Sequence, residues 1–168
     1  MLVFSLKNSR PFSEREAAYL GEFLKEYART GVGQWINDLP WREFEFRWVP
    51  GIRGSDILGA FTPIHPQTIY LADHDIDPDF YLNRGVRPYW IEHYLPTVCH
   101  ELRHALQFSR NPVLYAVCSL PGIRQLTLER DADRVTEDAD PIADEFAKLG
   151  AARDFEKTRK RLIDQEGA

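Results

Sequence analysis

Two histidines and a glutamate stand in the sequence at a spacing that suits metal chemistry. Residues 100–104 read His-Glu-Leu-Arg-His, and apolar residues recur around them at helical spacing. On a helix, His100 and His104 lie one turn apart on the same face, so both imidazoles can reach one ion. Zinc binds neutral imidazole and prefers four ligands in a tetrahedron. The segment therefore predicts a zinc site on a helix.

Glu101 follows the first histidine directly, which places its carboxylate beside the metal and not on it. From there it can take a proton from a zinc-bound water, the general-base role that this motif has in metalloproteases. Zinc lowers the pKa of such a water and polarises a scissile carbonyl. We expect Glu101 to be the catalytic residue. The alternative is that the three side chains are ordinary surface residues of a helix.

A catalytic zinc normally has three protein ligands and one open position. The extended pattern HExxHxxGxxH is excluded, because Gln107 stands where it requires glycine and Arg110 where it requires the third histidine. A later predicted helix carries Glu129 and Asp133 one turn apart on one face. We expect Glu129 to bind zinc and Asp133 to accept a hydrogen bond from a ligating histidine. Four nearby acidic residues remain alternatives for the third ligand: Asp131, Glu137, Asp138 and Asp140.

The order HELRH, then Glu129-x-x-Ala132-Asp133, resembles the gluzincin branch of zinc metallopeptidases. More narrowly, it is similar to the compact, single-domain zincin-like peptidases of bacterial and phage genomes. The resemblance covers about residues 57–140. It implies that a short sheet precedes the active-site helix, that the edge strand of this sheet pairs with an extended substrate, and that a glutamate helix supplies the third ligand. Residues 59–63 and 68–71 resemble that sheet.

The elements that must position these residues predict a small α+β fold. Ser13 and Glu16 form a capping box, which predicts the start of a helix. Pro96 suits a first helical turn near Leu95, and Pro141 suits the first turn of a later helix. Helices are expected over about 14–29, 91–108, 124–138, 141–149 and 152–164, and strands over 43–49, 57–61 and 68–72. Segment 73–90 is expected to be irregular, and the apolar segment 109–123 to form a short hairpin or helix against the site.

We expect one minimal zincin-like domain over residues 1–168, with a mostly antiparallel sheet. The formal net charge is −5, which does not favour nucleic acid as a partner. No apolar run approaches the roughly 18–20 residues of a membrane span, and the N-terminus lacks the pattern of a secretory signal. We therefore expect Cys99 and Cys118 to be reduced thiols. These features predict a cytoplasmic protein, and the HELRH motif with its resemblance to zinc peptidases predicts an enzyme that acts on a protein or peptide.

A different class of function stays open from the sequence. A zincin-like scaffold could serve as a binding or structural part of a phage-derived or regulatory assembly, with its metal retained and no turnover. Glu101 argues against that role, because a structural zinc site needs no base. A helical interaction protein without metal is a further alternative. The candidates by type for the group that stabilises the oxyanion are His74, Tyr81, Tyr89, His93 and Tyr115, and spacing selects none of them.

Overall fold

The computed structural model describes residues 9–41, 43–50, 58–73, 94–120, 123 and 127–166. These residues confirm the expected α+β class, with four α-helices and one small sheet. In chain order the elements are β1 (Arg10–Pro11), α1 (Glu14–Tyr27), a 3₁₀ helix (Gln34–Asp38), β2 (Glu45–Pro50), β3 (Gly59–Phe61), β4 (Thr68–Asp73), α2 (Leu95–Arg110), α3 (Pro112–Cys118) and α4 (Leu128–Glu166).

The sheet has the strand order β1-β2-β4-β3 and is mixed. β1 pairs with β2 and β3 pairs with β4 in antiparallel fashion, whereas the central pair of β2 and β4 is parallel. The chain reaches β4 only after passing through β3, which forms a hairpin with β4 at one edge. β3 is therefore an edge strand of the described sheet, and it is the strand next to α2.

Alternation along the strands sends one set of side chains into the main core. Trp48, Ile69 and Leu71 are almost fully buried there, as the charged and apolar alternation of residues 43–49 predicts for the tryptophan. The indole Nε1 of Trp48 donates to Glu16 Oε1 at 3.1 Å, so the buried ring keeps a polar partner. This bond fixes α1 against the sheet.

Helix α1 begins at the predicted capping box. The backbone N–H of Ser13 donates to Glu16 Oε2 at 2.7 Å, and the N–H of Glu16 donates back to Ser13 Oγ at 3.3 Å. Two amides of the first turn, which have no partner within the helix, are thereby satisfied. The buried face of the helix carries Leu20, Phe23 and Tyr27.

Helix α2 is the central helix of the core. It begins at Leu95 with Pro96 in its first turn, as the sequence predicts. Its buried stripe comprises Leu95, Val98, Cys99, Leu102, Ala105 and Leu106. The same helix carries residues 100–104, so the packing of this stripe fixes the direction in which the two histidines point.

The division of the C-terminal part into three helices is wrong. One helix, α4, runs from Leu128 to Glu166 with Pro141 inside it. Because proline has no N–H, Pro141 cannot donate a hydrogen bond to the carbonyl of Glu137. Pro141 and Glu137 are both exposed, so water can donate to that carbonyl instead. Ala139 and Ala143 are buried on either side of the proline. Packing of this alanine face holds the helix together across the proline.

The sequence predicts neither β1 nor the 3₁₀ helix, and two other expected segments compare with the structure as follows. Within the apolar segment 109–123, residues 112–118 form helix α3. The segment expected to be irregular over 73–90 lies, after its first residue, outside the described residues. None of the described helices, including the long and polar α4, combines the length and the apolar character needed to cross a membrane.

Candidate metal centre

Three side-chain atoms from two helices converge on one point. His100 Nε2 and His104 Nε2 on α2 lie 3.1 Å apart. Glu129 Oε2, from the first turn of α4, lies 3.2 Å from His100 Nε2 and 3.4 Å from His104 Nε2. A tetrahedral ion with bonds of about 2.0–2.1 Å separates its ligand atoms by about 3.3–3.4 Å. The three atoms thus stand close to the mutual distances that a zinc ion requires.

A hydrogen-bond chain fixes the tautomer of His104. The side-chain N–H₂ of Gln107 has two acceptors, Leu128 O at 3.2 Å and Asp131 Oδ2 at 2.8 Å. The other amide atom, Gln107 Oε1, lies 2.8 Å from His104 Nδ1 and can only accept. His104 therefore carries its hydrogen on Nδ1, and its Nε2 presents a bare lone pair toward Glu129.

The same reasoning applies to His100. Its Nδ1 lies 3.2 Å from Thr136 Oγ1, and the threonine hydroxyl donates to Ala132 O at 3.2 Å. Because that hydroxyl uses its hydrogen on the carbonyl, it accepts from His100 Nδ1–H. Asp133 Oδ1 also approaches His100 Nδ1, at the longer distance of 3.5 Å. His100 Nε2 consequently also carries a lone pair and no hydrogen in the neutral imidazole.

The electrostatic consequence is a site that demands positive charge. When both imidazoles are neutral, two lone pairs and a carboxylate oxygen face one another at hydrogen-bonding distance. Burial alone lowers the pKa of His104, but the hydrogen bond that its protonated ring makes to Glu129 and the charge of Glu101 outweigh burial, so the pKa is raised. A proton or a metal cation can satisfy the three acceptors. Two nitrogens and one carboxylate form a donor set that suits zinc.

Glu101 lies beside this cluster and is 6% exposed. Burial raises the pKa of its carboxyl above the ordinary value, and the charges of His104 and His100 offset only part of that rise. The backbone N–H of Phe61 in β3 also donates to the carboxylate. A buried carboxylate next to a metal-ligand set, with its pKa raised, has the properties of a general base.

Strand β3 lies directly against Glu101 because position 59 is glycine. A Cβ added at Gly59 would lie 2.7 Å from Thr97 Cγ2 and 3.0 Å from Glu101 Cγ. The N–H of Ala72 in β4 donates to Leu58 O, so the alternation of an antiparallel pair directs the backbone groups of Gly59 and Phe61 away from β4. The edge of β3 that faces away from β4 and the three candidate metal ligands thus meet at Glu101.

An ion pair attaches the beginning of α4 to α2. Arg103 binds Asp131 through two nitrogens, at 2.7 and 3.0 Å. The hydrogen bond from Arg103 is the main cause that lowers the pKa of the Asp131 carboxyl. Asp131 is engaged in this way and is not at the histidines. Among the residues that the structure describes, only His100, His104 and Glu129 form a group of three side chains that could hold a metal.

Sequence reasoning missed the groups that orient the histidines. Gln107 stands three residues after His104 on one helix, a spacing that signals a side-chain contact. Thr136 shares a face of α4 with Asp133 and lies nearer to His100, which only the packing of α4 on α2 reveals. Tyr115 contacts the site, with its ring centroid 6.4 Å from that of His104. The other oxyanion candidates, His74, Tyr81, Tyr89 and His93, lie outside the described residues.

The case for a function rests on this geometry. Comparisons of the chain with protein-family models, with curated proteins and with solved structures find no match.

Proposed function

We propose that this chain is a zinc-dependent peptidase that hydrolyses peptide bonds with a metal-activated water. The observation that carries the proposal is the set of three acceptor atoms on His100, His104 and Glu129, spaced 3.1–3.4 Å apart with both histidine tautomers fixed. Bound zinc would supply a water of lowered pKa and a polarised substrate carbonyl. Side chains and backbone groups of this chain would transfer the protons and bind the substrate.

Glu101 is the group that moves protons in this proposal. Its carboxylate accepts a proton from the attacking water and later releases it to the leaving amine. The raised pKa of the buried carboxyl favours the first step and keeps the proton on Glu101 until the leaving amine, a much stronger base, takes it. The Phe61 amide holds the carboxylate in place from the side of β3.

Strand β3 is the substrate-binding edge in this proposal. Gly59 turns its N–H and C=O away from β4, and the Phe61 carbonyl points the same way while the Phe61 N–H stays with Glu101, so an extended peptide can add a strand there by β-augmentation. Such a peptide would run past Glu101, which brings one of its carbonyls to the catalytic group. The proposal thus includes a protein or peptide partner, and neither nucleic acid nor membrane.

A cytoplasmic location is part of the same proposal. Cys99 and Cys118 are both free thiols in the structure. Burial raises the pKa of the Cys99 thiol far above its usual range, so this group stays a neutral core residue beside His100. Reduced, unpaired cysteines are the usual state in a reducing compartment.

Cleavage of an unfolded protein tests the catalytic step. The zinc-loaded chain should cleave it, and Glu101→Gln should retain zinc and lose at least about 100-fold in rate, the lower range of a general-base contribution. Glu137→Gln is the matched control, since Glu137 is an exposed glutamate of α4. Full activity of a zinc-bound Glu101→Gln chain would overturn the mechanism. Zinc binding without any turnover would instead favour a scaffold that only binds.

A further inference from the structure

The large apolar side chains that remain exposed are concentrated next to the candidate site. Five of them lie between residues 113 and 123, whereas the other four in the described part of the chain are Val32, Leu58, Ile64 and Leu149. We call these five the α3 surface: Val113 (75% exposed), Leu114 (55%), Val117 (51%), Leu120 (53%) and Ile123 (42%). No residue from 111 to 123 carries a charge. Together the five side chains expose on the order of 500 Å², a patch size that on monomers is often functional.

Helix α3, which carries three of these five residues, packs against the site. Tyr115 is buried and faces inward, with its ring centroid 6.0 Å from Phe61, 5.6 Å from Phe108 and 6.4 Å from His104. Asn111 caps the helix by accepting from the N–H of Leu114 at 2.9 Å. Val113, Leu114 and Val117 are thus held by a capped, anchored helix, and Leu120 and Ile123 follow directly after its end.

The α3 surface continues from the end of β3. Phe61 is the last residue of this edge strand, and it packs on Tyr115. A peptide paired with the outer edge of β3 would thus come close to α3 where that strand ends. The α3 surface is apolar and uncharged. A segment with large apolar side chains gains there by burying them, whereas charged side chains would be desolvated without a partner.

We propose that the α3 surface binds the large apolar side chains of an extended polypeptide that leaves the β3 edge. This inference rests on the proposed function for the path of the peptide, and it adds the substrate class: unfolded or extended segments that are apolar and uncharged. A second copy of the chain fits less well, because the patch is smaller than the ~800 Å² that each partner buries in a stable dimer. A few peptide side chains match the area better.

Binding of two labelled peptides tests the inference without requiring turnover. Both peptides have the same length and no net charge; one carries leucine and phenylalanine at alternate positions, and the other carries serine and glutamine there. Fluorescence anisotropy on the Glu101→Gln chain, with and without zinc, gives the dissociation constants. We expect the apolar peptide to bind at least about tenfold tighter than the polar one, a difference of about 1.4 kcal/mol.

A matched pair of variants assigns that preference to the α3 surface. Leu114→Ser/Val117→Ser should abolish the preference for the apolar peptide. Leu149→Ser/Val32→Ser makes the same two substitutions at comparable exposure, 53% and 46%, on other elements and should keep it. Because all four side chains are exposed, both variants should melt within a few degrees of the parent. Equal binding of the two peptides, or an undiminished preference in the α3 variant, overturns the inference.

Two further outcomes identify a different occupant and also overturn it. Sedimentation of the parent as a dimer that Leu114→Ser/Val117→Ser dissociates would assign the surface to a second copy. Binding to neutral or anionic lipid vesicles that the same substitutions abolish would assign it to a membrane. The proposed function fails separately, by absence of zinc or of cleavage. Zinc binding and cleavage without preference for apolar peptides would remove this inference alone.

Discussion

Replacing Gln107 by leucine should weaken zinc binding without touching a ligand. The amide accepts from His104 Nδ1–H and donates to Leu128 O and Asp131 Oδ2. Leucine has a similar shape but leaves the imidazole free to rotate or to move its hydrogen to Nε2, the atom that must bind the metal. Loss of such a partner of a ligating histidine typically costs 10–100-fold in metal affinity. We expect a loss in that range, about 1.4–2.7 kcal/mol.

A second substitution at the same position separates orientation from general stability. Gln107→Glu keeps an oxygen that accepts from His104 Nδ1–H, but it places a carboxylate against Leu128 O and Asp131 Oδ2. Zinc affinity should therefore stay within a few-fold of the parent. The melting temperature should fall, because two acceptors lose their donor and like charges meet.

Competition with a chromogenic chelator measures zinc affinity, and thermal unfolding of the metal-free chain measures stability. Gln34→Leu is the matched control, because Gln34 is exposed on the 3₁₀ helix and does not belong to the group of candidate metal ligands. The reasoning is refuted if Gln107→Leu binds zinc within about twofold of the parent, well inside the expected 10–100-fold range. It is equally refuted if Gln107→Leu and Gln107→Glu lose zinc affinity to the same extent.

Three other predictions follow from the contacts. Gly59→Ala places a Cβ 2.7 Å from Thr97 Cγ2 and 3.0 Å from Glu101 Cγ, so β3 must shift by about 1 Å. We expect steady-state peptide cleavage to be up to ~100-fold slower while metal analysis finds an unchanged zinc content. Gly59→Ala/Thr97→Ser should recover part of the rate, because it removes the closer of the two contacts. Ser13→Ala removes the cap of α1 and should lower the free energy of unfolding by about 1 kcal/mol in denaturant titration, with no change in zinc affinity. Arg103 lowers the pKa of Asp131 in the folded state, so this carboxylate stabilises the fold above its unfolded pKa of about 3.9, and the contribution is lost as pH falls through the folded value. The melting temperatures of the parent and Asp131→Asn should therefore differ near neutral pH and converge in acid; a constant difference would contradict the assignment.

Local sequence patterns were enough to predict the parts of the fold that local chemistry decides. The capping box placed the start of α1, alternation placed β2, and Pro96 placed the start of α2. The HExxH spacing placed two imidazoles on one helix face without reference to any other element. Glu129 was singled out because a catalytic zinc needs a third ligand, and the structure brings its carboxylate to both histidines.

What the sequence could not predict depends on how elements pack on one another. The break at Pro141 was expected from the local rule for proline, but the buried Ala139 and Ala143 hold one helix across it. Asp133 was expected to orient a histidine, whereas Thr136 lies nearer to His100 once α4 packs on α2. The parallel pairing of β2 with β4 likewise depends on where the intervening hairpin folds back.

The zinc-to-protein ratio of the purified chain tests the central claim most directly. Metal analysis after zinc loading and removal of excess metal should give a ratio near one for the parent and near zero for His104→Ala. His65→Ala is the control, because His65 is exposed and lies outside the metal-ligand group. It should bind zinc like the parent. A parent chain that refuses zinc on titration, or a His104→Ala chain that keeps it, would contradict the account.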